Sequence, residues 1–136
     1  MTTKYTIELI GYINTLENLS KAKVKDAFID KNEMLVFVIN QGEIGKAIGK
    51  GGINIRRLSG LLKKRVKLIE FNEDVKEFVK NCIQPLQASI AMEDTTITLE
   101  SSDTTVKAKL IGRDKQNLNA LKELVNRYFK VDILVK

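Results

Sequence analysis

Between residues 44 and 69 the chain carries Lys46, Lys50, Arg56, Arg57, Lys63, Lys64, Arg65 and Lys67 and not one acidic residue. In the middle of this stretch stands Gly49-Lys50-Gly51-Gly52. Glycine admits positive φ and lets another backbone come close. The start of the helix that follows offers N–H groups and the positive end of its dipole to an anion. Lys50 adds a mobile cation, and Arg56 and Arg57 lie one turn along. The combination suits a sugar-phosphate chain. A solvated helix face normally interleaves both signs, so an acid-free run of cations points to a polyanionic partner.

Other chemistries find little material. The sequence has no histidine, which removes the commonest general base and the Ser-His and Cys-His nucleophile arrangements. Glu73/Asp74 and Glu93/Asp94 are neighbours in sequence, so they diverge on a helix or alternate across a strand; they read as helix-start and turn residues. Cys82 is the single cysteine; it can form no intramolecular disulfide and no zinc cage. Its helical spacing with Val75, Phe78 and Val79 makes it a small core residue. The phosphate loop of NTPases requires Lys and Ser or Thr after its second Gly, whereas Gly49-Lys50 is followed by Gly51. The dinucleotide fingerprint needs a third Gly where Asn54 stands. No enzyme activity, metal, cofactor or small-molecule substrate is expected.

A chain of 136 residues is one medium domain or two small ones. With 43% hydrophobic and 29% charged residues it has the composition of a folded protein. No stretch approaches the length of a membrane span and Met1 to Glu8 has no signal-peptide character, so a cytoplasmic protein without membrane contact is expected. The net charge of +6 is uneven. Residues 1–71 hold 13 basic and 7 acidic residues, and residues 72–136 hold 10 of each.

The elements that position the glycine run follow from periodicity. Ile7, Ile10, Ile13 and Leu16 or Leu19 predict an amphipathic helix over 6–19. Residues 23–29 and 34–39 are β-rich runs about the turn cluster Asp30-Lys31-Asn32-Glu33, which predicts a hairpin. A short helix from Glu43 to Ile48, the glycine interruption, a second helix through Leu62 and a strand over 66–71 complete the order. The same order is predicted again: a helix over 74–83 halted before Pro85, a hairpin of 88–92 and 95–99 about Glu93-Asp94, helices over 104–111 and 116–128, and a strand over 131–135. Leu58 and Leu61 are expected in the core, as are Phe28, Phe37, Phe71, Phe78 and Phe129.

A shift of 63 residues lays the chain on itself. Lys46 falls on Lys109, Ile48 on Ile111, Gly49 on Gly112, Lys50 on Arg113, Asn54 on Asn117, Ile55 on Leu118, Leu58 on Leu121, Leu61 on Leu124, Leu62 on Val125 and Lys64 on Arg127. The repeat is densest around the glycine interruption, which is where a shared activity should sit.

At Ile48-Gly49-Lys50-Gly51-Gly52-Ile53-Asn54-Ile55-Arg56-Arg57-Leu58 the sequence resembles the signature of KH domains, whose GXXG loop clamps about four nucleotides. The preceding helix and hairpin resemble the type II arrangement, and two such units in tandem resemble the short archaeal NusA-like transcription factors. The resemblance implies an α+β fold of two tandem type II KH domains, residues 1–72 and 73–136, each a three-stranded sheet covered by helices. The absence of a Gly/Ser or Pro-rich spacer leads us to expect rigid packing of the two. The resemblance also implies binding of single-stranded RNA in transcription elongation, termination or antitermination alongside RNA polymerase; a ribosome- or RNA-processing-associated KH protein is the alternative. It assigns Gly49, Lys50, Gly51 and Gly52 to the RNA backbone, Ile48, Ile53 and Arg56 to the groove or its rim, and Lys46 and Arg57 to the surrounding charge. In the second unit it assigns Gly112, Arg113 and Lys115, where Gly112-Arg113-Asp114-Lys115 lacks the closing Gly and carries an acid.

Overall fold

The computed structural model describes residues 6–30 and 32–136. Met1 to Tyr5, and Lys31 of the expected hairpin corner, lie outside the described residues. The chain divides into two compact units, one ending at Phe71 and the other beginning at Asn72. Each runs helix, strand, strand, helix, helix, strand and has its own three-stranded sheet. The fold class is α+β.

The first unit comprises α1 (Ile7–Ser20), β1 (Val24–Ile29), β2 (Leu35–Ile39), α2 (Ile44–Ile48), a 3-10 turn (Lys50–Gly52), α3 (Ile53–Leu62) and β3 (Val66–Glu70). Asp30 makes the hairpin corner between β1 and β2, its Oδ1 accepting the N–H groups of Asn32 at 2.8 Å and Met34 at 3.0 Å. The central strand, Leu-Val-Phe-Val-Ile, is β-branched and apolar and is buried along its whole length. It pairs antiparallel with β1 and parallel with β3. A parallel pair requires a crossover connection, and here α2, the glycine run and α3 are that crossover. The loop is thereby anchored at both ends to one sheet.

Two expectations about packing are corrected. On α1 the buried residues are Leu9 and Leu16, with Tyr12, Ile13 and Leu19 partly covered, whereas Ile7 is 91% exposed and Ile10 45%. Apolar residues at 7, 9, 10, 12, 13, 16 and 19 allow two overlapping stripes, and the line through Leu9, Ile13, Leu16 and Ser20 is the one that faces inward. Ser20 can join it because its hydroxyl donates to the Leu16 carbonyl at 2.7 Å and accepts from the Ala22 N–H at 3.1 Å. On α3, Leu58 is fully buried but Leu61 is 66% exposed. The covered line runs through Ile55, Leu58 and Leu62, at spacings of three and four, and leaves Leu61 beside it.

The second unit comprises α4 (Val75–Ile83), β4 (Ser89–Glu93), β5 (Thr96–Glu100), α5 (Thr104–Ile111), a 3-10 turn (Arg113–Lys115), α6 (Gln116–Val125) and β6 (Asp132–Val135). β5 again pairs antiparallel with one neighbour and parallel with the other. The inner face of α4 is Phe78, Val79, Cys82 and Ile83, so Cys82 is a core residue. Phe78 meets Tyr128 edge-on at 5.6 Å between ring centroids and Phe129 at 5.9 Å. Of the five phenylalanines, Phe37 and Phe78 are fully buried and Phe28, Phe71 and Phe129 half-buried.

Two boundaries differ from expectation. Glu93 pairs with Thr96 inside the ladder, so the turn is Asp94-Thr95, with Asp94 at φ 54°; Asp tolerates this left-handed corner. Helix α6 stops at Val125 rather than Tyr128. There Asn126 donates Nδ2 to the Val131 carbonyl at 3.0 Å and accepts the Val131 N–H on Oδ1 at 3.2 Å, which turns the chain toward β6 despite the continuing apolar spacing.

The packing of α1 yields a direct comparison. Leu16→Ala should lower stability by about 2–5 kcal/mol, as emptied core leucine sites do, whereas Ile7→Ala should change it by less than about 0.5 kcal/mol. Urea unfolding of the two variants reads the difference, and equal losses would refute the assigned face.

Candidate nucleic-acid interface

Helix α2 ends at Ile48, and Gly49 follows at φ 78°, ψ 166°, a region essentially closed to residues with a side chain. The next three residues form one tight turn, closed by the Gly52 N–H donating to the Gly49 carbonyl at 3.0 Å and the Ile53 N–H donating to the Lys50 carbonyl. Gly51 and Gly52 both lie in the left-handed region, at φ 63° and 76°. Gly49 is required for a second reason: a Cβ there would stand 2.7 Å from Nδ2 of Asn54 and 2.9 Å from its Cγ. Asn54 presses so close because its Nδ2 donates to the Lys46 carbonyl at 2.9 Å, tying the first turn of α3 to α2. From the other side Arg56 donates Nη1 to the Gly51 carbonyl.

The second loop repeats this geometry with different residues. Gly112 takes φ 75°, ψ 173°, and a Cβ on it would meet Asn117 at 2.6 Å. Asn117 donates Nδ2 to the Lys109 carbonyl at 2.8 Å. The left-handed corners are held by Asp114 at φ 54°, ψ 33° and Lys115 at φ 61°, ψ 21°. The shift of 63 residues maps the turn at 50–52 onto 113–115 and α3 onto α6 without a gap. Asn54 and Asn117 were not among the site residues expected from the sequence. Their signal was there: they are the same polar residue at the same place in both repeats.

The helix starts differ in their caps, and the short α2 follows Glu43 with no side-chain cap. α1, α4 and α5 begin with side-chain caps from Thr6, Asp74 and Asp103, and α1 and α4 add Glu8 and Glu77 in the first turn. α3 and α6, the two helices that leave the loops, have no side-chain cap and no acid in the first turn. Cations gather there instead, although a cation near a helix N-terminus opposes the dipole by roughly 0.3–1 kcal/mol. An anion reverses that sign.

The expected site residues fall as follows. Lys50, Gly51, Ile53, Arg56 and Arg57 are exposed, and Ile48, Gly49 and Gly52 half-buried. Lys46 is exposed but pairs with Glu43 at 3.5 Å, an acid just outside the acid-free stretch. Arg65 donates to the Asn32 carbonyl at 2.6 Å, and Lys63, Lys64 and Lys67 lie beyond α3 or on β3, so the eight cations do not form one cluster at the loop. In the second unit Arg113 and Lys115 are exposed and Gly112 half-buried. Among the described residues no group of three or more His, Cys, Asp or Glu is placed to hold a metal ion, and no helix is long and apolar enough to cross a membrane.

The two constraints on Gly49 set an expected outcome. Gly49→Ala should cost about 1–3 kcal/mol of stability, while Gly45→Ala, inside α2 with open space around the new methyl, should be neutral or stabilising by up to about 1 kcal/mol. Chemical denaturation distinguishes them, and a harmless Gly49→Ala would sink the packing argument.

Comparison with known proteins gives the same picture. Residues 12–76, spanning the glycine loop, match the model of the NusA-like second KH domain. The chain is 32% identical over 135 residues to "Probable transcription termination protein NusA" of Methanococcus vannielii, covering 93% of this chain and 75% of that one. It is 30% identical over 135 residues to the protein of the same description from Halobacterium salinarum, covering 97% and 96%. The crystal structure of APE1850 shares the fold, with a TM-score of 0.73 and 23% identity over 97% of this chain and 100% of that one. With relatives matched through both units and a KH model matched over the loop that its glycines build, the chain belongs to the archaeal NusA-like family.

Proposed function

We propose that this protein binds single-stranded RNA through two tandem type II KH domains, residues 1–72 and 73–136, and acts on transcription, in termination or elongation alongside RNA polymerase. It catalyses nothing in this reading, and it works in the cytoplasm. The observation that carries the proposal is the pair of uncapped, acid-free helix starts, α3 and α6. Each follows a left-handed turn and is bordered by cations: Lys50 and Arg56 in the first unit, Arg113 and Lys115 in the second. The relatives' description as probable transcription termination proteins supplies the link to transcription termination. Few aromatics, five Phe and three Tyr, leave little for base-stacking platforms, so the backbone and aliphatic contacts dominate.

The first loop is the stronger site. Its glycines let a phosphate chain approach the backbone, and among its four residues Lys50 is the only charge. In the second, Asp114 places a carboxylate beside the path of the strand while Arg113 and Lys115 still make point contacts. The hairpin of the second unit adds Glu93, Asp94, Glu100 and Asp103 with no base among residues 84–103. The second unit therefore extends the footprint and orients the strand.

Binding of a short single-stranded RNA should weaken steeply with salt, with a log–log slope between about −2 and −4, since each phosphate contact contributes about 0.7. A slope near zero, or equal preference for a duplex, counts against the proposal. Lys50→Asp/Gly51→Asp should remove most of the affinity and leave the protein folded, because Asp114 already occupies the corresponding corner with a similar backbone. Arg113→Glu/Lys115→Glu should weaken binding less. If the second pair loses as much, with both variants folded, the ranking of the loops is wrong.

A further inference from the structure

The two loops differ at a pair of positions four residues apart. The first has Gly52 and Arg56; the second has Lys115 and Asn119. These positions are neighbours in space: a Cβ built on Gly52 would lie in van der Waals contact with Nη1 of Arg56, at 3.4 Å. The Arg56 guanidinium thus occupies the space beside residue 52 and donates to the Gly51 carbonyl. In the second loop the corresponding residue, Lys115, bears a side chain, and residue 119 is an exposed Asn.

We propose that each loop requires one cation standing over its left-handed corner, supplied from the helix by Arg56 in the first unit and from the loop by Lys115 in the second. This rests on the RNA-binding reading given above. Arg56 is a positioning residue toward the loop and a phosphate contact toward the strand. A guanidinium carries five N–H donors in a fixed fork, so one donor can hold the Gly51 carbonyl while others face a phosphate oxygen. Lys115 has only its ammonium at the end of a flexible stem, so it contributes the charge without the brace. Lys115 shows further that lysine is accepted at this corner, at φ 61° against φ 76° for Gly52.

The test moves the cation from one position to the other in the full-length protein. Arg56→Asn alone should reduce the salt slope for a short mixed-sequence single-stranded RNA by about 0.7, the value of one phosphate contact, and weaken binding roughly tenfold. Gly52→Lys/Arg56→Asn should restore the slope and most of the affinity. Reciprocally, Lys115→Gly should lose slope, and Lys115→Gly/Asn119→Arg should regain it; this second pair decides the matter if the first double variant fails to fold. A folded double variant no better than its single, or an Arg56→Asn protein with unchanged slope, overturns the inference. Failure of the parent protein to bind RNA with any salt dependence overturns the RNA reading itself, which separates the two outcomes.

Discussion

One amide holds the loop in shape. Asn54 reaches over the junction between α2 and α3 to the carbonyl of Lys46, and that reach fills the space where a side chain on Gly49 would go. Glycine at 49, the sharp turn behind it and the direction in which α3 departs are therefore one structural commitment. The parallel pairing of β2 with β3 fixes the far ends of the same crossover, so the loop sits between a clamp at its neck and a sheet at its base. Asn117 and Lys109 repeat the clamp, and the repeat preserves its two partners where it has let the loop residues change.

Electrostatics then act on a preset shape. At α1, α4 and α5 the helix starts are stabilised from within by Thr6, Asp74 and Asp103. At α3 and α6 no side-chain cap or first-turn acid is present, and cations stand beside both starts, with Asp114 the one carboxylate next to α6, so local stability is lower than the same backbone could have. Burial in the core compensates: Leu58 beneath α3 and Leu121, Leu124 and Val125 beneath α6 are removed from water. The buried apolar residues and the exposed cations thus lie on different faces of the same helices.

Much of this was legible in the sequence because it depends on local signals. Glycine spacing, the acidic helix start at Glu73/Asp74 and the apolar periodicities are short-range features, the 63-residue self-match repeats them, and the elements they predict stand within a few residues of the observed ones. The errors share a different cause. Ile7, Ile10 and Leu61 fit helical periodicity, yet periodicity identifies a stripe only when one stripe is available; α1 offered two, and the tertiary neighbours selected between them. The end of α6 was missed because Asn126 acts on Val131, a contact that exists only after the chain has turned. The role of Asn54 was hidden for a related reason. A side chain that holds a carbonyl eight residues back is marked in the sequence only by its recurrence in the second repeat, which shows that it matters but not what it bonds.

The two loops reach one conformation by unlike routes. The first has glycine at its three positive-φ positions, 49, 51 and 52, and the second only at 112, with Asp114 and Lys115 taking the others. Glycine loses more conformational freedom on ordering than any other residue, and side-chain-bearing residues restrict the chain before it folds. The first loop therefore surrenders more freedom when the chain folds, and the second has less to surrender. The same shape is thus reached at a larger entropic cost in the first unit than in the second.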